Sequence, residues 1–247
     1  MGLPPELAFV FGETANVFHR TRVISREMVA VSTLALTIER PENFAFTSGQ
    51  NTMVSIPGIH AEMLKEFTIA SAPYEASLVL AMRVRNSKFK DACYALKPND
   101  AIMVRHPSGS LWEASAGPQI WLSGGIGITP FRSIIRELLH QNSSLDITHI
   151  HSDRSRSSIP FLSEFESYAA EHTDYRFIPT MTGESVSGEL KGRISADMIG
   201  QTAPNYAESA FFVVGGDSFV ASMRDLLAKM GVAPTMIRIE RFEGYKI

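Results

Sequence analysis

Residues Ser123-Gly124-Gly125-Ile126-Gly127-Ile128-Thr129-Pro130 join an apolar run, Gln119-Ile-Trp-Leu-Ser123, directly to a helical stripe of Phe131, Ile134, Ile135, Leu138 and Leu139. An apolar strand that feeds at once into an amphipathic helix needs a second, parallel strand to return to, so this segment commits its surroundings to an α/β architecture. The downstream sequence repeats the pattern. Leu145-His151, Tyr175-Met181, Ala210-Val214 and Thr235-Arg241 read as further strands. Helical stripes separate them, one with Phe161, Leu162, Phe165, Tyr168 and Ala169, another with Val220, Met223, Leu226, Leu227 and Met230.

Upstream of Gly117 the pattern is different. Arg22-Met28, Val31-Ile38, Thr52-Ile56, Phe67-Ala70, Leu78-Arg85 and Ala101-Arg105 are short β-rich runs punctuated by Ser-Gly, Pro-Gly and Ala-Pro turns, with one helix predicted over Phe89 to Leu96. Six strands at this spacing predict a small antiparallel barrel or sandwich. A boundary near Ala114-Pro118 then divides the 247 residues into a β domain, 16–115, and an α/β domain, 116–247, both of ordinary size.

The glycine turn has two readings. Glycines allow a tight turn and the close approach of a pyrophosphate, whose charge the free amides and positive end of the next helix would hold. Pro130 suits the first helical turn, where its missing N–H is no loss. The same residues also serve a plain strand-to-helix connection. In the β half, Lys65-Glu66-Phe67-Thr68 sets a cation, a ring and a hydroxyl within four residues, a grouping able to serve a phosphate, a planar ring and a ring nitrogen but equally at home in an amphipathic strand. Arg83-Val84-Arg85-Asn86-Ser87-Lys88-Phe89-Lys90 runs a strand end into a helix start. It reads either as a second phosphate grip or as an N-cap beside solvated cations.

Composition removes several classes. Twenty-three Lys plus Arg against 26 Asp plus Glu leave a formal charge of −3, too balanced to call for a nucleic acid or an anionic membrane. The single cysteine, Cys93, excludes an internal disulfide, a cysteine zinc site and a self-contained iron–sulfur cluster. It is expected to be a buried apolar residue. His149 and His151 share a strand face but have no evident third ligand, so they are read as structural or nucleotide-contacting, and no metal is expected. His106 is read as a turn residue. A hydrolase is excluded because no Gly-x-Ser-x-Gly elbow occurs. No apolar run reaches the roughly 18 residues of a membrane span, and MGLPPELAFVFGE lacks the cationic start of a leader and has Glu6 in place of a myristoylation hydroxyl. A cytoplasmic location is expected.

Taken in order, FTSGQ, KEFTIASAP, RVRNSKFK, LKPNDAIMVRHPSGSL, SGGIGITP, FFVVGGDSFVASM and ERFEGY resemble the ferredoxin–NADP reductase superfamily of flavin oxidoreductases over residues 20 to 245. The resemblance implies a six-stranded antiparallel barrel that binds FAD, followed by a parallel α/β domain that binds NADPH or NADH, with the nicotinamide meeting the flavin in the cleft between. Carried over residue by residue, the flavin ring falls to Phe67, its reactive nitrogen to Thr68 and the pyrophosphate to Lys65, where the family has arginine. Lysine keeps the charge but loses the bidentate fork, a loss that Arg83 or Arg85 would offset. Further phosphate contacts fall on Ser87, Lys88, Phe89 and Lys90, largely through backbone amides.

In the nucleotide domain the resemblance assigns the pyrophosphate loop to Gly124, Gly125, Gly127 and Pro130, with Thr129 beside it. Val214-Gly215-Gly216 stands where the family has a cysteine facing the nicotinamide, so Val214 occupies a catalytic position without its thiol. Phe242 and Tyr245 are candidates to cover the flavin. After Leu145-His151 come Ser152, Asp153, Arg154 and Arg156; the serine and arginines, Arg154 first, favour a 2′-phosphate and hence NADPH, while Asp153 opposes it. The implied activity is hydride transfer from NAD(P)H to FAD with no protein acid or base, then delivery of electrons to an external acceptor such as a ferredoxin, flavodoxin or oxygenase component. Lys65 and Val214 motivate the alternatives: a weakly flavin-binding subunit of a larger redox assembly, or a reductase of free flavin, ferric complexes or quinones.

Overall fold

The computed structural model describes residues 18–58, 64–84, 87–109 and 117–242. Arg85 and Tyr245, both named above, lie outside them. The chain divides into two compact units, with the division between residues 110 and 111.

The first unit is an antiparallel sheet of β1 (Phe18–Ala30), β2 (Thr33–Glu39), β3 (Asn51–Ser55), β4 (Lys65–Thr68), β5 (Ser77–Arg83) and β6 (Ala101–Arg105), in the order β4-β3-β6-β1-β2-β5. The two end strands meet through the bridge Ile69↔Leu80 and the Ala70 N–H to Val79 carbonyl bond of 2.8 Å, which rolls the sheet into the expected barrel. Leu34, Leu36 and Ile38 of β2 and Leu78, Leu80 and Met82 of β5 fill its centre with Val54, Ile102 and Val104. The helix α1 (Lys88–Ala95) adds Phe89 and Cys93 to the same core. Burial pushes the Cys93 thiol up to about 12, so it is the inert apolar residue expected.

β1 is longer than its sequence suggests. Arg20, Arg22 and Arg26 lie exposed on its outer side while Thr21 and Val23 are buried, so the charged outer row hides a strand long enough to pair with both β2 and β6. It ends where Ser32 takes φ +55°, a left-handed turn position without the glycine that usually announces one.

The second unit is a parallel sheet of β7 (Gln119–Gly124), β8 (Ile147–Asp153), β9 (Tyr175–Met181), β10 (Leu190–Lys191), β11 (Ala210–Gly216) and β12 (Ile237–Phe242), in the order β10-β9-β8-β7-β11-β12. Its helices are α2 (Thr129–His140), α3 (Leu162–Glu171), α4 (Ala196–Thr202) and α5 (Asp217–Lys229). One face carries Ile120, Leu122, Ile150, Phe211 and Val213 against Ile199 of α4 and Val220, Met223 and Leu227 of α5. The opposite face is aromatic: Trp121 stacks on Phe131 of α2 at 4.7 Å between centroids, and Phe165 of α3 on Phe177 at 5.2 Å. Helices on both faces of a parallel sheet make this a doubly wound unit, as the alternating pattern predicts. Neither β10 nor α4 was readable from the pattern: β10 has two residues, and α4 is a seven-residue helix that contains Gly200.

Candidate functional site

In the barrel, Lys65 opens β4 and Thr68 closes it, paired across the ladder with Asn51. Lys65 and Phe67 alternate on one side of the strand and Glu66 and Thr68 on the other. The Thr68 hydroxyl is buried and has no hydrogen-bond partner among the described residues. A buried hydroxyl without a partner costs free energy, so it is a group that a polar ligand atom would satisfy. Phe67 is not an open platform: its ring is mostly buried in the core and stacks on Phe89 at 5.9 Å.

Arg83 is engaged within the barrel, its Nη1 donating to Thr33 Oγ1 at 2.7 Å and to the Val31 carbonyl at 3.3 Å. Ser87 is the extended N-cap residue of α1 with no side-chain cap bond, and exposed Lys88 and half-buried Lys90 follow it. Phe89 itself belongs to the core, leaving this helix start only its backbone and cations for a ligand.

In the second unit the glycine turn sits at the carboxyl end of β7, beside the point where sheet order reverses between β8 and β11. That is where ligands bind in open α/β sheets. Gly125 takes φ +55°, and a 3₁₀ turn over Gly125–Ile128 leads into α2 with Pro130 in its first turn and no side-chain cap on either. Thr129 does not cap; its hydroxyl donates back to the Ile126 carbonyl at 2.9 Å. The amides of this turn are therefore left without a capping side chain, as an anion site requires.

The glycines also pack the turn. A Cβ on Gly127 would lie 2.4 Å from the Val214 carbonyl oxygen, and Cβ atoms on Gly124 and Gly215 would meet the Phe219 ring at 2.7 and 2.6 Å. Gly127→Ala is expected to cost about 2 kcal/mol in urea unfolding, because its obstacle is backbone that cannot swing away. Gly216→Ala, with nothing within 4 Å, is expected to leave the midpoint unchanged. Val214 is fully buried, and Gly216 is exposed at the end of β11 opposite Phe242 of β12. Phe219, in the first turn of α5, is a site residue that the helical stripe of the sequence did not single out.

Behind the turn lies a buried polar chain. Tyr175 OH is 3.0 Å from His149 Nδ1, His149 Nε2 is 2.7 Å from Ser123 Oγ, and Ser123 Oγ is 2.7 Å from His151 Nδ1. His151 Nε2 then faces Asp153 Oδ2 at 3.6 Å. One proton order satisfies every link. Tyr175 donates to His149, His149 donates through Nε2 to Ser123, and Ser123 donates to His151, whose remaining N–H faces the carboxylate. The reverse order would set a bare ring nitrogen against Asp153. Burial first, and His151 second, hold His149 well below the usual histidine range; burial first, and Tyr168 second, hold Tyr175 well above the usual tyrosine range. Ser, His and Asp in one chain resemble a hydrolytic triad, but Ser123 is fully buried within the sheet and cannot meet a substrate.

A barrel and a doubly wound unit bearing this turn make up the two-domain fold of ferredoxin–NADP reductase-like proteins. Residues 121–225, which lie within the second unit, match the family described as oxidoreductase NAD-binding domain. The chain is 26% identical over 229 residues to ferredoxin–NADP reductase B of Sorangium cellulosum, covering 85% of this chain and 91% of that protein. It is 24% identical over 228 residues to the glycine betaine monooxygenase reductase subunit of Chromohalobacter salexigens, covering 87% of this chain but 62% of that one. The chain thus spans less than two thirds of the length of relatives of that kind. Among solved structures, a ferredoxin–NADP⁺ reductase of Neisseria gonorrhoeae with bound FAD and NADP superposes with a TM-score of 0.79 at 18% identity, over 93% of this chain and 99% of that one. A cytochrome P450 reductase of Amycolatopsis superposes with a TM-score of 0.82 at 21% identity, over 92% and 71%. No helix among the described residues is long and apolar enough to cross a membrane.

Proposed function

We propose that this chain is an NAD(P)H-dependent flavin reductase that passes electrons from a nicotinamide nucleotide through FAD to an external protein acceptor of the ferredoxin, flavodoxin or oxygenase-component kind, acting in the cytoplasm. The observation that carries this reading is the uncapped glycine turn at the switch point of the parallel sheet. The relatives named above, one a monooxygenase reductase subunit and the other a ferredoxin–NADP reductase, support the acceptor class. The flavin site is assigned to residues 16–115 and the nucleotide site to 116–247.

The barrel residues fit a flavin: the Thr68 hydroxyl lacks a partner, Lys65 supplies a cation, and the start of α1 presents Ser87, Lys88 and Lys90. Bound FAD would supply the hydride acceptor and the means to release two electrons singly. The chain's own work is placement. The amides of Gly124, Gly125 and Gly127 hold the nucleotide's pyrophosphate, and Pro130 and Thr129 fix the turn that aims them. Val214 brings no proton or thiol to the reaction, so its part is to shape the floor beneath Gly127. Phe242, which pairs with Gly216 at the sheet edge, is assigned to cover a ring. Orientation of this kind supplies several kcal/mol of rate without any acid or base.

The visible spectrum of the purified full chain before and after anaerobic addition of NADH or NADPH tests the reading. A yellow protein bleached by nucleotide is expected. Colourless protein that takes up no added FAD would overturn it in favour of a non-catalytic subunit.

A further inference from the structure

Resting on that reading, we infer that the nucleotide site of this chain selects NADH over NADPH, with Asp153 as the specificity-determining residue and Arg156 withdrawn from phosphate binding by Glu166 and Glu189. The sequence favours the opposite preference because it offers Arg154 and Arg156 beside the second parallel strand. The folded arrangement decides how those charges are used.

Asp153 is the last residue of β8, one step past Ser152, which pairs with Gly124 of the glycine turn. In a dinucleotide fold this is the place beside the adenine ribose, where an acid suits a free 2′-hydroxyl and an arginine suits a 2′-phosphate. The carboxylate is fixed there. The Arg154 N–H donates to Oδ1 at 2.8 Å, Ser158 Oγ donates to the same oxygen at 2.9 Å, and His151 at the end of the buried chain faces Oδ2. Arg156 has no free fork to offer. One terminal nitrogen is paired with Glu166 and the other with Glu189, while its backbone N–H donates to Glu184. Two arginines thus stand among four carboxylates, and the net negative field repels a phosphate dianion while leaving a neutral hydroxyl unaffected. Arg154 remains exposed, but a single screened cation does not reverse that balance.

The test compares fragments as well as whole nucleotides, so that it does not depend on flavin. Calorimetric titration of the full chain with 5′-AMP and with 2′,5′-ADP reads the ribose site directly, and steady-state turnover with NADH and NADPH reads the same site in the reaction. Binding and kcat/KM at least about tenfold in favour of the nucleotide without the 2′-phosphate are expected, a factor equivalent to one missing charge-assisted contact. Equal or better use of the 2′-phosphorylated pair would overturn the inference. Asp153→Asn keeps an acceptor for Ser158 and removes the charge, and its amide NH2 toward His151 is met by the reverse proton order of the buried chain; it is expected to narrow the ratio several-fold by improving 2′,5′-ADP binding, and an unchanged ratio would remove Asp153 from the assignment. Glu166→Ala with Glu189→Ala removes both acceptors that hold the Arg156 fork and is expected to narrow it further. Selective fragment binding without any bleaching of flavin would leave this inference standing and sink the reductase reading instead; bleaching by NADPH alone would do the reverse.

Discussion

Thr68→Val is expected to slow flavin reduction by NAD(P)H on the order of a hundredfold while leaving the barrel as stable as before or more so. The two halves of this expectation come from one observation. The Thr68 hydroxyl is buried at the end of β4 and finds no partner among the described residues, so replacing it with a methyl group of the same shape removes a desolvation penalty of about 1 kcal/mol and breaks nothing. If the hydroxyl exists to meet a ring nitrogen of the flavin, its loss removes a donor aimed at developing charge, the kind of group whose deletion costs about a hundredfold or more. Stopped-flow bleaching at saturating nucleotide gives the rate, and urea unfolding gives the stability. A rate within twofold of wild type would show that the hydroxyl does not touch the reacting ring. A matched fall in rate and stability would reassign Thr68 to packing.

The legible and illegible parts of this chain separate along physical lines. Segments whose side chains sort cleanly by burial could be read: β2 and β5 with their inward leucines, β7 with its apolar run, and α2 with its stripe at helical spacing. The glycine turn could be placed because it joins an apolar strand directly to an amphipathic helix and takes φ +55° at Gly125; that Gly127 must also clear the Val214 backbone on β11 could not be read. Features that depend on distant partners could not be read. Nothing near Phe219 says that its ring will lie over Gly124 and Gly215 from two different strands. Nothing near Arg156 says that Glu166 and Glu189, on other segments, will claim its guanidinium. Nothing near Phe67 says that its ring will stack on Phe89 of α1. His149 and His151 could be placed on one buried strand face, but the serine and tyrosine that complete their chain come from β7 and β9.

That buried chain yields the largest expected loss of stability. Ser123→Ala is expected to destabilise the α/β unit by about 3 kcal/mol, because one hydroxyl serves both His149 Nε2 and His151 Nδ1 at 2.7 Å and its removal leaves two buried ring nitrogens unmet. The chain also makes stability depend on pH in a stated direction. His149 is held neutral in the fold by burial and by His151, whereas in the unfolded chain its ring takes up a proton near pH 6.5. Below that pH the unfolded state binds a proton that the folded state refuses. Stability is therefore fully present above about pH 6.5 and falls by about 1.4 kcal/mol per pH unit as pH drops toward the folded value. His19, lowered by burial first and by its neighbour His106 second, adds a slope of the same sign in the barrel, so the comparison that isolates His149 is between wild type and His149→Phe. Phenylalanine sits acceptably among Trp121, Phe131, Phe165 and Phe177, which already surround the ring. Its stability should be lower at pH 7.5, where Ser123 and Tyr175 lose a partner, yet flatter between pH 6.5 and 5. Urea unfolding at three pH values separates the cases, and an undiminished slope in His149→Phe would mean that the acid sensitivity belongs to another group.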